Sequence, residues 1–198
     1  MMVARMLALW TLIVPAWAYT IGDTVADFRL RNVDETLVAL SQYAKDARGV
    51  VVVFTCNSCP YAKAYEQRII ELHQSFAPKG FPVLAIQPND PRRSPGDSFE
   101  KMQQRAAEKG YPFPYVWDET QEVARRFGAR RTPEVFLLRR AGEAFVVAYK
   151  GAIDDNSEDP SAVRQRYVAD AINALLRGET PSVTQTRAIG CTIKWRRQ

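Results

Sequence analysis

Three cysteines carry most of the chemistry open to this chain, and two of them form the run Cys56-Asn57-Ser58-Cys59, followed by Pro60. Two residues between cysteines on a first helical turn bring the sulfurs into disulfide range, the first exposed and the second tucked inside. A helix N-terminus presents unpaired N–H groups and a partial positive charge, which favour thiolate over thiol. The thiolate is the species that attacks disulfides. Pro60 within the first turn loses no needed hydrogen bond. Lys63 and Lys45 are candidates to add positive potential. Inert readings compete: a structural disulfide, a pair of merely buried cysteines, or a zinc site. Zinc needs four ligands, and the chain has no second C-x-x-C and a single histidine, His73.

The elements that must position this pair are legible on either side of it. Residues 49–55 (GVVVVFT) form a β-branched run without a polar interruption, the pattern of a central strand buried on both faces. Residues 60–76 carry Tyr65, Ile69, Leu72 and Phe76 at three- and four-residue spacing, an amphipathic helix. Strands are expected over 26–30, 36–40, 81–87, 113–117, 134–138 and 145–150, with helices over 98–109, 120–127 and 162–176. Residues 88–97 (PNDPRRSPGD) read as a turn-rich surface loop. Strands alternating with helices, then a hairpin and a last helix, predict an α/β fold: a central mixed sheet with helices on both faces.

Thr132-Pro133 is the second signal, because Pro133 stands at the entry of a strand, where proline is tolerated. A cis bond there would set the Thr132 backbone against the cysteine pair, ready to pair with an extended substrate segment. An isolated X–Pro bond is usually trans.

The third cysteine, Cys191, lies near a basic end with Lys194, Arg196 and Arg197. It reads as an additional resolving thiol if the tail folds back over the pair, as an intermolecular link, or as a free cysteine packed as a small hydrophobe. Arg125, Arg126, Arg130 and Arg131 make a basic cluster beside Pro133, suited to steering an anion or keeping a surface wet. His73 reads as a solvated helix residue. Asp154, Asp155, Glu158 and Asp159 lack the periodic spacing of a calcium loop and read as a solvated turn.

Composition narrows the classes further. The 198 residues are 46% hydrophobic and 25% charged, which excludes a mostly disordered chain. The formal charge is +5, yet the 27 Lys and Arg are spread along the whole sequence, so a nucleic-acid partner is not expected. Residues 1–18 have the layout of a secretory signal peptide: a basic start with Arg5, an apolar stretch of about 13 residues, and Ala16-Trp17-Ala18 before cleavage. The expected organisation is a leader over 1–18, a domain over 19–178, and a basic C-terminal tail over 179–198 packed on or near it. Export to the periplasm follows, an oxidising space, with no stable membrane span after cleavage.

The chain resembles the thioredoxin-fold superfamily in its redoxin and peroxiredoxin-like (AhpC/TSA-type) branch. The similarity rests on residues 21–28, on Val50 to Pro60, and on Glu122 to Leu138 (EVARRFGARRTPEVFLL). It implies a thioredoxin-like fold, Cys56 as the attacking cysteine, Cys59 as the resolving one and Pro133 as a cis-proline beside Thr132, with no metal or organic cofactor. The implied activity is thiol–disulfide exchange with protein thiols or disulfides, or with a thiol reductant. Two departures bear on this. Thr55 stands where thioredoxins carry Trp. In the peroxiredoxin Pro-x-x-x-Thr-x-x-Cys signature, aligned on Cys59, Cys56 takes the place of Thr and Val52 that of Pro. The alternatives are a peroxiredoxin-like peroxidase acting on peroxide, and a non-enzymatic module with a static disulfide or a bound copper, for which His73 is poorly placed.

Overall fold

The computed structural model describes residues 18–197. Except for Ala18, the leader expected over 1–18 lies outside the described residues. In chain order the elements are β1 (Thr24–Val25), β2 (Arg29–Asn32), β3 (Leu37–Ala39), β4 (Gly49–Phe54), α1 (Pro60–Phe76), β5 (Val83–Gln87), α2 (Phe99–Lys109), β6 (Tyr115–Trp117), α3 (Glu122–Phe127), β7 (Arg131–Thr132), β8 (Glu134–Ala141), β9 (Ala144–Gly151), α4 (Tyr167–Leu176) and β10 (Cys191–Thr192). Among the described residues no helix is long and apolar enough to cross a membrane.

Eight strands form one mixed sheet in the order β1-β9-β8-β4-β5-β6-β2-β3, and β10 pairs with β7 apart from it. The valine run makes β4 the central strand, parallel to β5 and antiparallel to β8. Its side chains alternate between two cores, as the strand period requires. Val51 and Val53 pack with Tyr65 and Ile69 of α1, Met102 of α2 and Val168 and Ile172 of α4. Val50, Val52 and Phe54 face the opposite side, with Val123 and Phe127 of α3. Helices therefore cover both faces of the sheet, and the fold is α/β and thioredoxin-like. Gly49 is required by space: a Cβ there would lie 2.3 Å from the Leu138 carbonyl oxygen.

One register positions the site. In the β4–β8 ladder Phe54 lies opposite Glu134. Two residues past Phe54 is Cys56, and two before Glu134 is Thr132, so the antiparallel pair delivers both to the same end of the sheet. Lys45 precedes β4, at the end remote from the motif, and adds no potential there.

The last helix is shorter than the pattern over 162–176 suggests. Arg164 donates its N–H to Asp155 Oδ1 and Val168 donates to the Ile153 carbonyl, while the Gln165 carbonyl accepts from Asp155 N–H. These long-range bonds hold residues 163–166 out of the helix, which starts at Tyr167.

The acidic turn is also not simply solvated. Asp154 is buried, 2.7 Å from the Arg68 guanidinium, and accepts from the Tyr65 hydroxyl at 2.8 Å. His73 is half-buried: its Nδ1 accepts the Val83 N–H, and burial holds it below the usual histidine range.

Candidate active site

Helix α1 begins at Pro60 with Cys59 as its N-cap residue, so the helix tip belongs to Cys59 and not to Cys56. Cys56 lies in the loop between β4 and the helix. The N–H groups of Asn57 and Ser58 are both taken by one carboxylate oxygen, Asp97 Oδ1, at 2.8 and 2.9 Å. The Asn57 side chain is fixed at both ends, donating to the Gly96 carbonyl and accepting from the Tyr115 hydroxyl. Burial keeps Tyr115 protonated well above the usual range, so it stays a donor. The C-x-x-C loop is held rigid by buried polar groups.

The three thiols converge. Cys56 Sγ lies 3.2 Å from the Thr132 hydroxyl, and Cys59 Sγ donates to the Thr132 carbonyl at 3.1 Å. Cys56 and Cys59 pack together, and Cys191 packs on the pair. All three are free thiols. The Thr132-Pro133 bond is cis. Thr55 is buried just before the motif, its N–H on the Ile86 carbonyl.

One sequence expectation is overturned by this geometry. Cys56 is only 6% exposed and Cys59 3%, so the first sulfur does not face solvent. The cover is the C-terminal tail, where β10 pairs with β7 and sets Cys191 opposite Thr132. The thiol poised to ionise is Cys59. Its pKa is lowered to about 5, against the cost of its burial, by the hydrogen bond from the Cys56 thiol, by the Cys191 thiol, and by the N–H groups of Ala62 in the first helical turn and of Cys191. Cys56 moves the other way, far above the ordinary thiol value. It gives its proton to the bond with Cys59, it is buried, and the Asp97 charge lies nearby. Cys59 stands at the N-cap of α1, where the positive end of the helix favours an anion. Among the described residues no group of three or more His, Cys, Asp and Glu side chains is placed to hold a metal ion.

The model of the AhpC/TSA family matches residues 21–156. The chain belongs to the AhpC/TSA family. An uncharacterized conserved protein from Geobacillus kaustophilus is 36% identical, with a TM-score of 0.83 over 90% of this chain and 94% of the other. A hypothetical protein from Sinorhizobium meliloti is 31% identical, with a TM-score of 0.82 over 90% and 96%. A putative thiol:disulfide interchange protein DsbE from Chlorobium tepidum shares the fold at 20% identity, with a TM-score of 0.62 over 80% and 99%.

Several residues that build the site of this AhpC/TSA protein escape a reading of the sequence. Asp97, Asn89 and Asp90 fall in the stretch expected as a surface loop, yet all three are buried. Asp97 also accepts from the Asn89 side chain and the Ser94 hydroxyl. Gln121 is buried with a left-handed backbone (φ +63°), and its side chain grips the tail: Nε2 donates to the Lys194 carbonyl and Oε1 accepts the Arg196 N–H. Two of the clustered arginines hold the tail as well. Arg131 donates to the Gly190 carbonyl at 2.8 Å, and Arg125 lies 4.5 Å over the Trp195 ring. Lys63 is exposed on the first turn of α1.

Proposed function

We infer that this protein is an exported thiol–disulfide oxidoreductase that cycles Cys56 and Cys59, with Cys59 as the nucleophile. One observation carries this reading: two free thiols packed together on Thr132, one of them at a helix tip and shifted toward the thiolate. The Cys59 thiolate attacks a substrate disulfide, forming a mixed disulfide and releasing one substrate sulfur as a thiolate. Cys56 then attacks Cys59 Sγ, its proton passing to the departing sulfur. Two electrons reach the substrate, the Cys56–Cys59 disulfide forms, and an external thiol reductant restores the pair. Thr132 serves both partners, its hydroxyl solvating Cys56 as it ionises and its carbonyl holding the Cys59 S–H until that thiol gives up its proton. A protein disulfide reaches Cys59 only when the tail strand lifts from β7.

The enclosed Cys59 favours a second reading, because a small oxidant needs no such movement. Cys59 thiolate would break the O–O bond of a peroxide, releasing water or an alcohol and leaving a sulfenic acid, which Cys56 condenses to the disulfide with loss of water. Insulin reduction driven by dithiothreitol, with peroxide consumption measured beside it, separates the two. The first reading expects insulin turnover that Cys59→Ser abolishes and a mixed disulfide trapped when Cys56 and Cys191 are both replaced by Ser. Turnover unaffected by Cys59→Ser rejects it, and rapid peroxide loss without insulin turnover establishes the second. Export rests on residues 1–18, and N-terminal sequencing of the secreted protein should read from Tyr19.

A further inference from the structure

The tail beyond α4 is held along its length by bonds that converge on one position. Ile193 is buried, and its N–H donates to the Arg130 carbonyl. Lys194 donates to Asn89 Oδ1 at 2.8 Å, and its carbonyl accepts from the Asp90 N–H at 2.9 Å. Arg93 donates to the Trp195 carbonyl at 2.8 Å. Gly190 permits the approach, since a Cβ there would stand 2.3 Å from the Thr132 carbonyl oxygen. The result places Cys191 against the pair.

The contact is selective. Cys191 stands opposite Thr132, the residue whose carbonyl Cys59 Sγ contacts, and it packs against the pair; its thiol and N–H favour the Cys59 thiolate. Cys191 is also the most exposed of the three thiols, half-buried where the others are buried. Cys59 is thus packed both with the buried Cys56 and with the tail cysteine.

We propose that Cys191 is a third redox residue, which relays the oxidised state of the buried pair to the protein surface. This rests on the cycling of Cys56 and Cys59 argued above. Cys191 thiolate attacks Cys59 Sγ of the Cys56–Cys59 disulfide. The Cys59–Cys191 bond forms, the Cys56–Cys59 bond breaks, and Cys56 leaves as a thiolate that takes the proton Cys191 gave up. The step is an isomerisation, so it needs no oxidant or reductant. The reductant then meets the half-exposed Cys191 in place of two buried sulfurs. In the reduced state Cys191 is pushed up to about 11, by its burial first and then by its bond to Cys59 and the Cys59 charge. Once Cys59 is bound in a disulfide that charge is gone, and Lys194 favours the Cys191 thiolate unopposed by it.

The test is disulfide mapping by mass spectrometry of the full chain after limiting diamide and acid quenching. Wild type should yield both a Cys56–Cys59 and a Cys59–Cys191 peptide, and Cys56→Ser should yield an intramolecular Cys59–Cys191 link. Gly190→Ala, which pushes the strand off Thr132, should lose the Cys59–Cys191 link while Cys56–Cys59 still forms. Oxidised Cys191→Ser should be reduced by dithiothreitol several-fold more slowly than wild type. Wild type that forms Cys56–Cys59 but never Cys59–Cys191, with equal reduction rates for Cys191→Ser, overturns the relay alone. Wild type that forms neither link and does not turn over insulin overturns the parent reading too.

Discussion

The buried carboxylate of Asp97 holds the backbone N–H of Asn57 at 2.8 Å, and through that bond it sets the shape of the C-x-x-C loop. The same oxygen holds Ser58 N–H, and the second oxygen accepts from Asn89 and Ser94. Hydrogen bonds to a charged group contribute about 1.5–3 kcal/mol each, and an orphaned buried donor costs more than the bond gained. Asp97→Asn keeps the shape but turns one acceptor oxygen into a donor facing Asn89 and Ser94. A stability loss of about 2 kcal/mol is expected in urea unfolding. Removing the charge beside Cys56 should also lower the pH at which Cys56 is alkylated; no change in that profile would contradict the electrostatic role given to Asp97.

The pH dependence of the thiols has a definite sign. Cys59 is depressed to about 5 in the folded chain, so its alkylation by iodoacetamide should rise through about pH 5 and be flat by neutrality. A depressed acid contributes stability that is fully present above its ordinary, unfolded value and is lost as pH falls through the folded one. Stability attributable to Cys59 should therefore grow from about pH 5 toward the ordinary thiol range, and Cys59→Ser should remove that rise. Cys56 is raised, so its contribution is present below the ordinary thiol value and fades above it. A Cys59 titration near the ordinary thiol value would end the assignment of Cys59 as nucleophile.

Thr132→Val tests the hydroxyl without disturbing the carbonyl. The Thr132 hydroxyl favours ionisation of Cys56, so its loss should drive Cys56 higher still and slow the step in which Cys56 attacks the mixed disulfide. Cys59 contacts the Thr132 carbonyl, and its alkylation profile should stay in place. The stability cost should be about 1 kcal/mol, the usual net value of one hydrogen bond. Equal shifts at both cysteines would show that the substitution moves the loop rather than removing one bond.

Arg68 and Asp154 form a buried pair remote from the sulfur chemistry, with side chains 11% and 5% exposed. Asp154→Ala would leave the guanidinium with the Asn156 and Ser157 carbonyls but no counter-charge, and would strand the Tyr65 hydroxyl. Breaking such a pair from one side costs about 3–5 kcal/mol. Calorimetry should show a large fall in Tm, and the Cys59 alkylation profile at temperatures where the variant is folded should match wild type. A Tm within a degree or two of wild type would mean that the pair is solvated in solution.

The parts of the site that could be read from the residues are those whose signals are local. The valine run identifies β4, and the apolar spacing after Pro60 marks α1 over the residues at which it is found, 60–76. Both signals lie within a dozen or so neighbouring residues and are written in side-chain polarity, so no knowledge of the chain path is needed. The same holds for the pairing of a C-x-x-C with a helix start, and for the Thr132-Pro133 step into β8.

The surroundings of the cysteines were decided by the tertiary structure alone. Asp97 sits in a Pro- and Gly-rich stretch whose composition is that of any exposed loop, yet it lies across the motif 40 residues earlier. Cys191 meets Thr132 because a strand of two residues docks on β7, too short to leave a periodic pattern. These contacts bury both Cys56 and Cys59 and set Cys59, not Cys56, at the helix N-cap. The charge of a thiol depends on which dipoles and carboxylates surround it in space, and spacing along the chain says little about groups that arrive from far away in sequence.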